Sequence, residues 1–297
     1  MIYKNKKMSY CIKFFTIILL FFSCQKKSNL LYIESPNTNI SLEFTLKNGV
    51  PIYSVKKYNK IIIHKSKLGI NLKNGLELSN NFKIKNQNKK SFNSSWKPLY
   101  GEEKEIINNY NELNIELLQN EITVNIHFKI YDDGIGFRYE IPNQNTINNY
   151  DIIDEKTEFN LSKIDSAWWI PAFSYRRYEF LYANTSIDEI SKKVFSKYVE
   201  DISYDTQGID AAQTPLTIKK DNGIFISIHE ADLTNYSSMT LAPRGNGSLE
   251  VELYPWSDGT KVKLENKILT PWRTIQIADN SSDLLNSNLI LNLNDDP

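Results

Sequence analysis

The sequence predicts a mostly β fold of antiparallel sheets, a sandwich or barrel carrying one or two short helices. Three observations predict it. Apolar and polar residues alternate along many short runs, the period of a strand with one buried face. Asn-Gly and Asp-Gly pairs punctuate those runs, and both residue types tolerate the positive φ of a tight hairpin turn. The 297 residues, 41% hydrophobic and 12% aromatic, suffice for a full core, so each half-apolar strand has a second layer to cover it.

The elements follow in chain order. Residues 1–23 place Lys4, Lys6 and Lys7 before the apolar run Phe14 to Phe22 and end in Ser23, directly before Cys24. A charged region followed by a short apolar one is an export signal, too short to span a membrane comfortably as a helix. The small residue before Cys24 makes residues 1–24 resemble a lipoprotein-type signal with Cys24 as the acylated residue, the alternative being ordinary signal cleavage nearby or a retained anchor. The expected location is the periplasm or the outer membrane of a Gram-negative bacterium, with a lipid anchor to the membrane. Residues 25–38, polar with Lys26, Lys27, Pro36 and Asn37, read as a tether, and residues 39–297 as one domain.

Within that domain Ile40, Leu42, Phe44 and Leu46 alternate, Asn48-Gly49 turns, and Ile52, Tyr53 and Val55 return. Val124, Ile126, Phe128 and Ile130 alternate, Asp132-Asp133-Gly134 turns, and residues 136–141 return. Asp221-Asn222-Gly223 leads into residues 224–228, and Leu249, Val251 and Leu253 form a further alternating strand. Ser186 and Glu189 have capping-box spacing, with Ile190, Val194, Phe195 and Tyr198 at helical intervals behind them, which predicts a helix there. A second helical turn is expected near Ser282 to Asn286, and a closing strand over Leu289 to Leu293.

Charge and cysteine content narrow the function classes. Thirty-five basic and 35 acidic side chains balance, so no general basic field draws nucleic acid to the chain. Without residues 1–23 the body loses Lys4, Lys6, Lys7 and Lys13 and no acidic residue, leaving it mildly acidic. Cys11 and Cys24 are the two cysteines, so the body has neither a disulfide framework nor a cysteine zinc site, and any metal would be held by oxygen or histidine.

Catalytic signatures are mostly missing: there is no phosphate-binding Gly-rich loop, nucleophile elbow or metalloprotease His pair. His64, His127 and His229 are scattered and read as structural. The pair His229-Glu230 either serves a site or orders the loop behind its strand. Glu102, Glu103 and Glu105 either meet a cation or sugar or form a solvated turn. Trp168 and Trp169 either stack on a sugar ring or pack in the core. The segment from Trp168 to Tyr182 is the densest, and its Tyr175, Arg176, Arg177, Tyr178 and Glu179 suit a surface that orients a sugar or a neighbouring domain.

Several motifs together carry a resemblance. They are Trp96-Lys97-Pro98-Leu99-Tyr100-Gly101-Glu102-Glu103, Asn109-Tyr110-Asn111-Glu112-Leu113, residues 131–139, residues 154–159, Trp169-Ile170-Pro171, Ile228-His229-Glu230-Ala231, Thr270-Pro271-Trp272-Arg273-Thr274-Ile275 and Leu291-Asn292-Leu293-Asn294. Collinear over about residues 35 to 296, they resemble the N-terminal domain of glycoside hydrolase family 97, bacterial α-glucosidases and α-galactosidases.

The resemblance implies a β-super-sandwich of the galactose-mutarotase-like kind, followed in family members by a catalytic (β/α)8 barrel and a small C-terminal β-domain. It implies an α-linked oligosaccharide as substrate of the whole enzyme and a Ca2+ ion at the barrel mouth, to which the N-terminal domain lends one carboxylate. That carboxylate falls on Glu179. No catalytic residue is expected in this chain, because the acid and the base or nucleophile of glycoside hydrolysis come from the barrel. A barrel needs about 250 residues, and the sequence stops where one would begin. The expected partner is therefore a catalytic barrel, as a separate chain if not the same one. The alternative is a free-standing carbohydrate-binding lipoprotein using the aromatic face around Trp168, Trp169, Tyr175 and Tyr178.

Overall fold

The computed structural model describes residues 30–147, 149–173, 179–198 and 209–295. Two layers of antiparallel strands enclose one principal core. One layer is a ten-stranded sheet whose main path runs, edge to edge, through Ala183–Ser186, Ser166–Trp169, Leu216–Lys219, Phe225–Ala231, Trp272–Ala278, Gly134–Ile141, Ile122–Tyr131, Ile106–Gln119 and Lys83–Trp96, with the short Ile268–Leu269 strand paired to Gly134–Ile141. Against it stand a four-stranded sheet of Leu31–Glu34, Ile40–Lys47, Val50–Lys57 and Lys60–Lys67, a three-stranded sheet, and another four-stranded sheet built around Met239–Gly245 and Ser248–Leu253. This is the expected β-super-sandwich.

The alternation read in the sequence builds the interior. Phe44 and Tyr53 from the small sheet meet Phe128 and Phe137 from the large one, with ring centroids 6.0 Å apart for Phe44 and Phe128 and 5.1 Å for Tyr53 and Phe137. All four rings are buried, so the aromatic pairs join the two layers. The Asn48-Gly49 hairpin forms as expected, both residues at positive φ, 53° and 78°. At the turn after Tyr131, a Cβ on Gly134 would stand 2.3 Å from the carbonyl oxygen of Ile275, so only glycine lets these central strands close on each other.

Three elements differ from the sequence reading. The tether over residues 25–38 is corrected in its second half: Leu31–Glu34 is a strand paired with Ile40–Lys47, and Ile33 is buried. Pro36 and Asn37 belong to the hairpin between those strands, where the Ser35 hydroxyl accepts from the Ile40 amide. The expected closing strand is instead a helix, Leu289–Leu293. Helical spacing puts Leu289 and Leu293 on one face, where they fill the hollows over Gly134 and Gly136. The helix predicted from Ser186 keeps its capping box but breaks into a 3-10 turn at Ile187–Glu189, an α-turn at Lys192–Phe195 and a second 3-10 turn at Ser196–Tyr198. Ser191 is extended and caps the middle turn through its hydroxyl, accepting from the Val194 amide.

The signal segment over residues 1–24, with Cys24, lies outside the described residues, as do Tyr175, Arg176, Arg177 and Tyr178.

Candidate functional site

Of the sequence-predicted residues, Trp168, Trp169 and Glu179 lie on or beside the loop between the strand Ser166–Trp169 and the edge strand Ala183–Ser186. Its first arm is fixed by backbone. The Ala172 amide donates to the Ala211 carbonyl at 2.9 Å and the Gln213 amide to the Ile170 carbonyl at 3.0 Å. Phe173 then turns with φ of 58°. Its amide donates to the Tyr254 hydroxyl at 2.9 Å, its ring lies 4.6 Å from the Tyr254 ring, and the same hydroxyl donates to Gln213. The returning arm is held by Phe180, whose ring meets Phe195 edge-on at 5.4 Å.

Glu179 sits between these anchors and is exposed. It has no ion-pair partner among the described residues. Leu181 and Tyr182 beside it are exposed as well.

The two tryptophans separate, as alternation in a strand requires. Trp169 is buried, donates from Nε1 to the Thr185 hydroxyl at 3.0 Å, and packs on Phe195 at 5.4 Å. It belongs to the core, which removes it from any sugar-binding face. Trp168, on the other side of the strand, is half-buried.

His229 and Glu230 likewise point to opposite faces of their strand. Glu230 is buried and faces Arg273, which is fully buried. Arg273 donates from Nη1 to Glu230 at 2.6 Å, and from Nε and Nη2 to the two oxygens of Glu155 at 2.9 and 2.6 Å. Burial alone works against a charged guanidinium, but the Glu155 and then the Glu230 carboxylates hold its pKa above the ordinary value. Glu155 also accepts from Thr157 and from Tyr236, and Glu230 accepts from the Met239 amide at 3.0 Å. The cluster ties the large sheet to two of the smaller sheets facing it, through Glu155 and Met239. Glu230 is thereby corrected from a surface candidate to a core carboxylate with its lone pairs in use.

His229 lies on the outer face, opposite Thr274 on the next strand. Its Nδ1 and the Thr274 hydroxyl oxygen are buried without a hydrogen-bond partner, as is Nε of Arg138 two strands away. Desolvation lowers the His229 pKa below 6.5, the nearby Glu230 charge opposing it. The folded protein therefore keeps this ring neutral, whereas the unfolded chain takes up a proton near its ordinary pKa. Stability from this residue is present above about pH 6.5 and lost as pH falls below it. Urea midpoints of the parent and His229→Gln, compared at about pH 7.5 and 5.5, are expected to shift relatively in favour of the variant at the acid end; a pH-independent difference would count against this.

The remaining histidines and carboxylates have structural surroundings. His127 bonds Asn114 at 2.6 Å and Glu140 at 2.8 Å, and His64 is exposed. Both oxygens of Glu103 accept from Asn288 at 3.1 Å, and Glu105 accepts from Ser95 at 2.5 Å. Asp132 and Asp133 form the hairpin turn.

Sequence reasoning missed the Arg273 cluster, although Arg273 and Glu155 both lie in quoted motifs, because an ion pair across 118 residues has no local signal. It also missed the outer-face stack in which Trp272 lies under Arg138 at 4.4 Å and Lys129 at 5.0 Å.

No three His, Cys, Asp or Glu side chains come together to hold a metal ion among the described residues. Calcium takes roughly 6–8 oxygen ligands. One exposed carboxylate fits a contributor to a shared site and does not fit a site of its own.

Residues 33–296 match the family model described as "Glycosyl-hydrolase 97 N-terminal". Among solved structures, the chain is 37% identical to a Glycoside Hydrolase Family 97 enzyme from Pseudoalteromonas sp. strain K8 in complex with acarbose, with a TM-score of 0.80 over 89% of this chain and 38% of that one. A variant of that enzyme in complex with panose matches with the same values. A beta-arabinopyranosidase at 19% identity and a TM-score of 0.71, over 84% of this chain and 40% of that one, shares the fold. The chain thus spans well under half the length of each of these proteins.

Proposed function

The chain belongs to glycoside hydrolase family 97 through its N-terminal domain, and from that premise we propose that it is the supporting, non-catalytic domain of an exported α-glycosidase acting on α-linked glucosides or galactosides. The observation that supports the reading is the exposed Glu179, next to Phe180 on Phe195 and after an arm held by Phe173 on Tyr254. In this reading Glu179 supplies one oxygen ligand to a calcium ion whose other ligands come from a catalytic barrel. Calcium there would stabilise negative charge beside the glycosidic bond, and this chain's part is to hold one carboxylate at a fixed place. Export and the lipid anchor at Cys24 rest on the charged and apolar segments of residues 1–24.

Hydrolysis of a glycoside needs two carboxyl groups about 5–9.5 Å apart, free to reach the bond from either side. Among the described residues, the buried Glu155 and Glu230 share one neighbour, and both are bound to Arg273. The purified chain is therefore expected to release no nitrophenol from nitrophenyl α-glucoside or α-galactoside. Release that disappears in Glu179→Gln would overturn the reading. The carbohydrate-binding alternative loses one of its four aromatic residues, because Trp169 is in the core.

A further inference from the structure

The outer face of the sheet that carries the first strands forms one side of a groove of about 850 Å³, with Lys56, Ile61, His64 and Lys65 on that side and the loops of Lys163 and Asn246 on the other. The chain as a whole balances its charge, but this lining does not. Lys56, Lys65 and Lys163 face a single carboxylate, Glu43, which Lys56 already holds at 2.6 Å. Lys65 and Lys163 are exposed and in no ion pair among the described residues. Ile61 in the lining and Ile164 beside Lys163 are 45% and 62% exposed. Ammonium groups set among exposed aliphatic side chains suit a surface that is anionic outside and apolar beneath.

Two constraints identify that surface. The strand Leu31–Glu34 is the edge of the same sheet, and Tyr32 stands opposite Glu43 of the groove. Residues 25–29 alone separate Cys24 from Leu30, the first described residue, so covalent geometry holds Leu30 within about 20 Å of Cys24. Neighbouring strands lie about 4.8 Å apart, which puts the groove only a few strand widths further on. The second constraint is the direction of the strand Ser248–Leu253. Ser248 lines the groove, and the other end of the strand leads to Tyr254, which accepts from the Phe173 amide on the Glu179 side. Groove and Glu179 are thus at opposite ends of that strand, and a partner at Glu179 leaves the groove open.

We propose that this basic groove rests the domain on the anionic phospholipid surface to which Cys24 anchors it, with phosphate headgroups against Lys65 and Lys163 and the upper acyl chains against Ile61 and Ile164. The inference rests on the lipid-anchor reading and adds an orientation to it: the small sheet lies on the bilayer and Glu179 is turned away from it. Headgroup charge acts only within a Debye length, about 8 Å at physiological salt, and the short tether lets the groove reach that layer. Each lysine held there favours the docked state roughly fivefold.

The test uses the mature, acylated protein. The chain has no cysteine after Cys24, so once the signal is removed and Cys24 is linked to lipid, an introduced cysteine is the single free thiol. His64→Cys in the groove and Trp256→Cys, beyond the other end of the Ser248–Leu253 strand and 60% exposed, are labelled with bimane in separate proteins. Both are reconstituted into vesicles with spin-labelled headgroups, of phosphatidylcholine with or without phosphatidylglycerol. Quenching at His64→Cys is expected to exceed that at Trp256→Cys at least ~5-fold in the anionic vesicles, and to be lost in phosphatidylcholine alone or at high salt. Lys65→Gln and Lys163→Gln are expected to lower the ratio of docked to undocked protein roughly fivefold each. Quenching that is absent, equal at the two positions or greater at Trp256→Cys would overturn the orientation while leaving the anchor intact. Quenching at His64→Cys that ignores phosphatidylglycerol, salt and both lysines would overturn its electrostatic basis. A mature chain whose mass shows no acyl groups would overturn the anchor and the inference together. A label at His64→Cys that responds to polygalacturonate through the two lysines, and not to anionic vesicles, would assign the groove to an acidic glycan and overturn the proposal.

Discussion

Arg273→Met is expected to destabilise the protein by about 3–5 kcal/mol, because removing one partner of a buried ion cluster leaves the others charged and unpaired. Glu155 and Glu230 both turn toward Arg273 in the sandwich interior, and all three side chains are essentially out of water. Without the guanidinium the two carboxylates would repel in a poorly solvated space. For a domain of this size the melting temperature is expected to fall by on the order of 10 °C. Arg273→Lys is expected to recover little, since one ammonium cannot reproduce the two-pronged contact with Glu155 while also reaching Glu230. Thermal or urea unfolding of the three proteins at neutral pH checks this. A loss under about 1 kcal/mol in Arg273→Met would show that the cluster contributes little against its desolvation cost.

Trp169→Ala is the second large effect, expected at about 3–5 kcal/mol from lost burial and the cavity left behind. The indole packs on Phe195 and bonds Thr185, and Phe195 in turn carries Phe180. The change therefore removes the support for the returning arm of the Glu179 loop as well as core volume. Trp168→Ala, at a half-buried position on the opposite face, is expected to cost much less. Unfolding measurements on the two variants separate the core residue from its neighbour, and equal losses would contradict the assignment of faces.

The hairpins were legible in the sequence because their signals are local. Asn48-Gly49 and Asp132-Asp133-Gly134 join strands adjacent in both chain and sheet, and the turn chemistry and alternation agree. The order of the large sheet was not legible, since Phe225–Ala231 and Gly134–Ile141 both pair with Trp272–Ala278 across long stretches of chain. Leu289 to Leu293 misled because Leu-Ile-Leu-Asn-Leu meets both a period of two and a helical face, and the hollows over Gly134 and Gly136 decide for the helix. The strand Leu31–Glu34 was not legible in the polar stretch of residues 25–38, because Leu31 and Ile33 gain their meaning from pairing with Ile40–Lys47.

For the site, the period-two rule already places Trp168 and Trp169, and His229 and Glu230, on opposite faces, so each pair cannot act as one unit. Which member is buried depends on the layer opposite, and that is set by the fold. The ion partner of Glu230 lies 43 residues away in sequence, beyond any spacing rule. Glu179 is singled out by the family resemblance alone; it lies exposed next to Phe180.

The most direct test is a calorimetric calcium titration of the chain alone, of the chain joined to the catalytic remainder of the Pseudoalteromonas enzyme, and of the joined protein carrying Glu179→Gln. A lone carboxylate is expected to bind calcium no tighter than about 1 mM. Joining is expected to tighten binding, and Glu179→Gln to weaken it again by roughly tenfold or more, since calcium sites are tuned by their count of charged ligands. Micromolar binding by the chain alone, or an affinity in the joined protein indifferent to Glu179→Gln, would contradict the role of this domain as the donor of one ligand to a shared site.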